Sequence, residues 1–174
     1  MEISQAYRFC PRCGAERVQI TPSRPFRCQS CSHTSFFGPV AAVGAVITNE
    51  LGQILLIERA REPGLGKLCL PGGFVDPNEK AEVALRREIH EEVGIQVGEI
   101  SFMMTAPNSY TYQGILFPVL DIFFSAKICS GQQVDHDDSE VSAWMWTEPT
   151  QAMLARMAFP SNCQALECFL KSRE

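Results

Sequence analysis

Arg87, Glu88, Glu91 and Glu92 stand together a short distance after the glycine pair Gly72-Gly73. On a helix turning about 100° per residue, Glu91 lies about 300° and Glu92 about 40° round from Glu88, so three carboxylates share an arc of about 100°. Like charges at i,i+3 and i,i+4 cost about 0.2–0.5 kcal/mol per pair. A hard divalent cation with oxygen ligands would turn that liability into a binding site. Such a cation could neutralise a diphosphate, lower the pKa of an attacking water and stabilise a departing oxygen. Acidic runs usually form a solvated helix face, so the surrounding frame has to decide. It reads Gly73, five residues, Glu79, seven residues, Arg87-Glu88, apolar Ile89, one residue, Glu91-Glu92, one residue, Gly94 and apolar Ile95. Arg87, four residues before Glu91, is close enough to pair with it and orient the carboxylate.

A second constellation lies near the amino terminus. Cys10-x2-Cys13 and Cys28-x2-Cys31 have the paired spacing of a four-thiolate structural zinc site, with a fourteen-residue separation just short of its usual range. Two disulfides, a redox CxxC or a rubredoxin-like iron site compete with that reading. The start MEISQAYRFC lacks the apolar core of a secretory signal, which argues against an oxidising compartment and leaves zinc as the best account. The expected location is cytoplasmic. His33 is surplus to four thiolates and reads as a turn residue. Cys69, Cys129, Cys163 and Cys168 sit in apolar contexts and read as small buried residues.

Charge bears on partners. The chain has 174 residues and a net charge of −5. Residues 1 to 37 carry Arg8, Arg12, Arg17, Arg24 and Arg27 against Glu2 and Glu16, and four thiolates on one zinc would leave about +1 there. Residues 38 to 174 hold ten basic and eighteen acidic side chains. Neither part has the basic footprint of a nucleic-acid binder, no run approaches a membrane span, and an anionic substrate would need the cation.

The frame G-x5-E-x7-R-E-U-x-E-E-x-G-U, with U a large aliphatic, resembles the signature of the Nudix hydrolases at all nine specified positions. The resemblance implies that Glu88, Glu91 and Glu92, with the Gly73 carbonyl, hold Mg2+ or Mn2+, that Arg87 orients them, and that water attacks phosphorus in a nucleoside diphosphate derivative. Glu79 would cap the helix or support the ligands. The general base is left among the box glutamates and a distant carboxylate. Glu140, six residues before Trp146, has the spacing of an extra metal-site glutamate in zinc-ribbon Nudix pyrophosphatases, although Asp135, Asp137, Asp138 and Glu140 could equally form a solvated loop. His136 reads as a loop residue.

A zinc ribbon before such a body resembles the NADH pyrophosphatase and the compact FAD or ADP-ribose pyrophosphatase types. Where the NADH type carries a SQPWPFP-like signature, this chain has Thr105-Ala106-Pro107-Asn108-Ser109-Tyr110, which leaves the choice among NAD(H), FAD and ADP-ribose open. Tyr110, Tyr112, Phe117 and Phe159 are aromatic faces on which a base could stack, or ordinary packing residues. Dimers are common in the resembling family, so a homodimer is expected. The alternative is a regulatory protein that senses a nucleotide and contacts nucleic acid or a partner through the ribbon. Retention of every box carboxylate favours catalysis.

The elements that must position these residues follow from patterning. Val40 to Ile47, Gln53 to Glu58 and Leu68 to Leu70 read as strands, as do Glu99 to Thr105, Ile115 to Ile128 and Val141 to Trp146. Asp76, or else Asn78, should cap the acidic helix, and Gly94 should end it. A further helix should follow Thr147, and Ser161-x-x-Gln164 should cap a last one. The expectation is a zinc ribbon over 1–37 joined through Phe36 to Pro39 to an α/β/α Nudix sandwich over 38–174.

Overall fold

Successive side chains of a strand point to opposite faces, so a strand that is apolar at every position must be covered on both sides. Val43 to Ile47 and Ile54 to Ile57 are such runs, and each residue in them other than Gly44 is at most 4% exposed. The computed structural model describes residues 1–17 and 25–173; Arg24, counted in the charge above, lies outside them. In chain order the elements are α1 (Ile3–Ala6), β1 (Phe26–Arg27), β2 (Thr34–Ser35), β3 (Val40–Thr48), β4 (Ile54–Arg59), β5 (Leu68–Cys69), α2 (Ala81–Val93), β6 (Val97–Tyr112), β7 (Ile115–Ile128), β8 (Val141–Thr147), α3 (Gln151–Leu154) and α4 (Pro160–Lys171).

The main sheet runs β5-β4-β3-β7-β6, with β8 also paired to β4. Its two faces bury separate cores. Ala45, Ile47, Leu55 and Ile57 pack with Ala84, Leu85, Ile89 and Val93 of α2. The intervening Val46, Ile54 and Leu56 pack with Ala165 and Leu166 of α4. Strand alternation thus places one helix on each side of the sheet, the expected α/β sandwich. Antiparallel pairing of β4 with β8, from Ile54↔Thr147 to Arg59↔Val141, shifts register between Glu58 and Arg59. That irregularity leaves Ser142 to donate back to Glu58 O at 3.3 Å and to Glu58 Oε1 at 3.2 Å, and such bulges re-aim the residues beside them.

Contacts group the chain into two compact units, Met1–Val40 with Ser109–Pro118, and Ala41–Asn108 with Val119–Glu174. In the first, the Met1 ammonium donates to Gly114 O at 2.9 Å and the Leu116 N–H to Met1 O at 2.7 Å. The N-terminal segment therefore holds the tip of the β6–β7 hairpin. Cys10, Phe26 and Cys28 form a core there with Phe37 and Cys31 at its margin, far too few residues to fold on burial alone.

Four local expectations need correction. The acidic helix starts at Ala81 behind Lys80, rather than at Asp76 or Asn78. Asn78 adopts φ 67°, which interrupts helical geometry, while Glu79 Oε2 accepts the Asp76 N–H at 3.1 Å and closes a separate turn. β6 runs past Thr105 to Tyr112, so the segment from Thr105 to Tyr110 is strand. Helix α4 has Phe159 as N-cap and Pro160 in its first turn, where the ring's fixed φ suits the helix; Ser161 lies inside it, buried. Gly94 does end α2, at φ 67°, with its N–H on His90 O at 3.0 Å. Of the four cysteines read as buried, only Cys69 is fully so; Cys129, Cys163 and Cys168 are partly exposed.

Asp121 on β7 is 6% exposed. Burial raises its pKa, partly offset by the Ser161 hydroxyl and by Asn108, whose amide donates to Asp121 Oδ2 at 2.8 Å. A carboxyl raised on folding loses the protein stability as pH climbs from its unfolded pKa, about 3.9, through the folded value. Asp121→Asn should therefore gain stability relative to the parent at pH 8 and lose that advantage near pH 4, measured by urea unfolding at both pH values.

Candidate active site

The glycine turn is held against β3 as a short strand would be. Ala45 N–H donates to Pro71 O at 3.0 Å, Val43 N–H to Gly73 O at 2.8 Å, and Val75 N–H to Ala41 O at 3.0 Å. Gly72 adopts φ 144° with the Val43 carbonyl so near that a Cβ would overlap it, so no other residue fits. A Cβ on Gly73 would overlap the Glu88 carboxylate. Glu88 therefore lies directly on the backbone of the turn. The Gly73 carbonyl retains a second lone pair beyond its bond to Val43.

Arg87 holds the acidic face together. Its Nε donates to Glu79 Oε1 at 3.0 Å and Nη2 to Glu79 Oε2 at 2.8 Å. Nη1 reaches Glu88 Oε1 at 2.8 Å and Glu91 Oε2 at 3.0 Å, and Nη2 also reaches Phe74 O at 3.0 Å. These five contacts match the five N–H donors of a guanidinium. Glu79 is the bidentate partner, held below the usual carboxylate range chiefly by that hydrogen bonding. The expected pairing with Glu91 is present, but Arg87 grips a wider frame than helical spacing implied.

Glu91 and Glu92 differ in setting. Glu91 is 57% exposed at the side chain, whereas Glu92 is 6% exposed and its Oε2 accepts the Gly72 N–H at 2.8 Å. Burial pushes the Glu92 carboxyl up to about 8; the Gly72 bond relieves this, and the charges of Glu88 and Glu140 add to it. Glu88 is raised as well, by burial first, with Arg87 opposing and Glu91 and Glu140 contributing. Glu140 thus belongs to the same electrostatic cluster, 48 residues after Glu92 in sequence.

The C-terminus of α2 brings it there. Helix ends leave carbonyls without intrahelical partners, and the loop after β7 supplies donors for two of them: Asp135 N–H to Val93 O and Asp137 N–H to Glu92 O, both at 3.1 Å. Asp137 then turns the chain, its Oδ1 accepting Ser139 N–H at 2.8 Å and its carbonyl the Glu140 N–H at 3.0 Å. Beyond it the Glu140 carbonyl accepts Ala60 N–H at 2.9 Å. His136 is a loop residue paired to Asp138 at 3.0 Å. Glu88 on the Gly73 backbone and Glu92 on the Gly72 N–H present carboxylate and carbonyl oxygens, the ligand type that a hard divalent cation takes.

In the N-terminal unit, the sulfurs of Cys10, Cys13, Cys28 and Cys31 all lie within 4.8 Å of one another. The Cys10–Cys31 and Cys13–Cys28 pairs are each 3.7 Å apart, too long for disulfides at about 2.05 Å. Tetrahedral zinc with bonds of about 2.3 Å spaces its sulfurs by about 3.8 Å, so the set fits zinc with no open position.

The NUDIX domain model matches residues 38–165. The chain belongs to the Nudix family. Among curated proteins it is similar to "NAD-capped RNA hydrolase NudC" of Pseudomonas fluorescens (strain Pf0-1), 32% identical over 82% of this chain and 49% of that protein. The same name is borne by a Pasteurella multocida relative, 29% identical over 76% of this chain and 50% of its own length. The chain spans about half the length of these relatives. A Nudix hydrolase from Nitrosomonas europaea superposes with TM-score 0.70 over 95% of this chain and 92% of its own at 24% identity, a likeness of fold. The NUDIX domain of Shewanella oneidensis NrtR, solved in complex with ADP ribose, superposes with TM-score 0.64 at 25% identity, over 80% and 91%.

Within this Nudix chain the aromatic candidates part company. Tyr110, Tyr112 and Phe117 belong to the hairpin tip of the first unit, Tyr112 being exposed. Phe159 belongs to the second, with the Arg59 guanidinium 5.2 Å from its ring centre. Arg59 and Arg61 were not found by spacing. Arg59 also affects Glu92, and Arg61 Nη2 pairs with Glu140 Oε1 at 2.7 Å. An arginine in a turn carries no periodic signal, and its partner lies 79 residues away.

Gly73→Ala should displace Glu88 without touching the cores. The expected outcome is Mn2+ affinity lowered by about tenfold or more, as for a disturbed ligand shell, with the thermal midpoint little changed, measured by electron paramagnetic resonance titration and calorimetry.

Proposed function

We propose that this chain is a Mg2+- or Mn2+-dependent pyrophosphohydrolase that cleaves the diphosphate of a dinucleotide or a related nucleoside diphosphate derivative, such as NAD(H), FAD or ADP-ribose. The observation that carries the reading is the gathering of the box glutamates at the Gly72-Gly73 turn, Glu88 lying on the Gly73 backbone, Glu92 on the Gly72 N–H, and Arg87 bridging Glu88 to Glu91. The names of the NudC relatives and the ADP-ribose complex of the NrtR domain support the substrate class.

In this reading Glu88, Glu91, Glu92 and the Gly73 carbonyl hold the divalent ion, which when bound would neutralise the diphosphate and activate water. Arg87 keeps the carboxylates in place and, with every donor engaged, does not reach substrate. Glu140, partly exposed and outside the helix, takes the proton from water as general base. The remaining contribution is positioning, as phosphoryl chemistry requires. Phe159, beside the Arg59 guanidinium, supplies a base-stacking surface on the catalytic body. The four cysteines of residues 1–37 hold one structural Zn2+, whose binding energy substitutes for a core; residues 38–174 form the catalytic body. The cytoplasmic location expected from the sequence goes with a zinc-bound rather than a disulfide-bonded cysteine set. Among the described residues no helix is long and apolar enough to cross a membrane. A homodimer follows the family expectation and is checked by light scattering.

Incubation with NAD(H), FAD, ADP-ribose and a NAD-capped RNA, each with Mg2+ or Mn2+, should release a mononucleotide from at least one. Folded protein that binds these ligands and yields none would overturn the hydrolase reading in favour of a nucleotide sensor. Glu92→Gln should lower turnover by at least about 100-fold, roughly 2.7 kcal/mol of transition-state stabilisation, with the fold intact by circular dichroism. Elemental analysis should find one zinc per chain, lost together with the N-terminal fold when Cys28 is replaced by Ser.

A further inference from the structure

An anionic substrate entering this site meets the carboxylates of Glu88, Glu91, Glu92, Asp137 and Glu140, so the cations decide where its phosphates can rest. Of the ten basic residues in 38–174, Arg59 ends β4, Arg61 and Lys67 lie on the turn between β4 and β5, and Arg156 lies on the segment bonded to β5. Arg59 N–H donates to Lys67 O at 3.0 Å and Leu68 N–H to Arg156 O at 3.1 Å. Two of these cations are already engaged. Arg59 Nε donates to Pro63 O at 2.7 Å while its guanidinium covers Phe159, and Arg156 faces Glu58 at 3.7 Å. Arg87 has no donor left.

Arg61 differs. Its side chain is 56% exposed, and the 2.7 Å contact with Glu140 is its one ion pair among the described residues. Its charge also helps to hold Asp137 below the usual carboxylate range, after the Ser139 hydrogen bonds. A guanidinium offers five donors, so most of this one remains available.

We propose that Arg61 is the diphosphate-binding cation of this site, and that Glu140 occupies it until a phosphate displaces the carboxylate. The proposal rests on the diphosphatase reading above. Carboxylate and phosphate both accept the planar fork of an arginine in bidentate fashion, so the exchange replaces one charge-assisted pair by another. The backbone need not move. Gly66 N–H to Arg59 O and Lys67 N–H to Gly64 O, both 2.9 Å, and Gly64 N–H to Glu62 Oε2 at 2.7 Å fix the turn, leaving only the Arg61 side chain to swing. Glu140, released, is then the carboxylate beside Glu88 and Glu92 with no cation of its own, so phosphate arrival frees the group that completes the acidic cluster.

The test is calorimetric binding of inorganic pyrophosphate to the full chain, zinc-loaded and dialysed free of Mg2+ and Mn2+. Glu140→Gln should tighten binding by several-fold, because it removes the competing carboxylate. Arg61→Gln should weaken it by about tenfold or more, the loss of one charge-assisted contact, and the double variant should match Arg61→Gln alone. Arg61→Lys, which keeps the charge, should fall between, and thermal midpoints confirm folding of each variant. An affinity unchanged by Arg61→Gln overturns the proposal, as does a gain from Glu140→Gln that persists in the double variant. Turnover with pyrophosphate affinity indifferent to Arg61 sinks this proposal alone. Absence of any mononucleotide product from the parent, with the binding pattern as expected, sinks the hydrolase reading alone.

Discussion

One guanidinium sets the geometry on which the acidic site depends. Arg87 directs Nε and both Nη groups to Glu79, Glu88, Glu91 and the Phe74 carbonyl, so it links the turn before α2, the helix itself and the strand-like segment after the glycines. A lysine could supply the charge but not the planar fork. Without this clamp, three glutamates on adjacent helical positions would repel one another and splay toward water. With it, Glu88 rests on the Gly73 backbone, while Glu92, which Arg87 does not touch, is held separately by the Gly72 N–H.

The clamp works because the surfaces around it are rigid. The segment from Pro71 to Val75 is bonded to β3 at three points, and β3 is buried on both faces between the α2 and α4 cores. The opposite end of α2 is fixed just as firmly, since its last carbonyls accept N–H groups from Asp135 and Asp137. Gly94 permits that approach, for a Cβ there would overlap the Asp135 backbone. The same helix therefore positions the box carboxylates along its face and the Glu140 loop at its end. Burial first, and then the neighbouring charges of Glu88 and Glu140, disfavour ionisation of Glu92, and a divalent cation would relieve both.

The N-terminal unit solves a different problem. Its apolar core is Cys10, Phe26 and Cys28 with a few partners, and burial on that scale cannot offset the entropy of ordering the segment. Four sulfurs at tetrahedral spacing can, once joined by a metal. The Met1 contacts to Gly114 and Leu116 then tie the hairpin tip, with Tyr110 and Tyr112, into that unit. No pattern within residues 1–37 encodes this contact, because the tip is local to β6 and β7 in sequence.

What the sequence determined by itself was whatever depends on fixed short-range offsets. The box from Gly73 to Ile95, the paired cysteines, the αL stop at Gly94, and the two-sided burial of Val43 to Ile47 follow from helical and strand periods and from ligand spacing, which need no knowledge of distant residues. Even locally it missed where competing geometries are close in energy, as when Asn78 took the left-handed region and delayed α2 to Ala81. Tertiary structure alone decided which carboxylates meet. Glu91 and Glu92 are adjacent in the chain yet one faces solvent and the other the glycine turn, Glu79 proved to be the principal partner of Arg87, and Glu140 and Arg61 come together across 79 residues. Those outcomes rest on the packing of a loop against helix-end carbonyls and on a bulged strand pair, interactions between segments whose proximity no local pattern encodes.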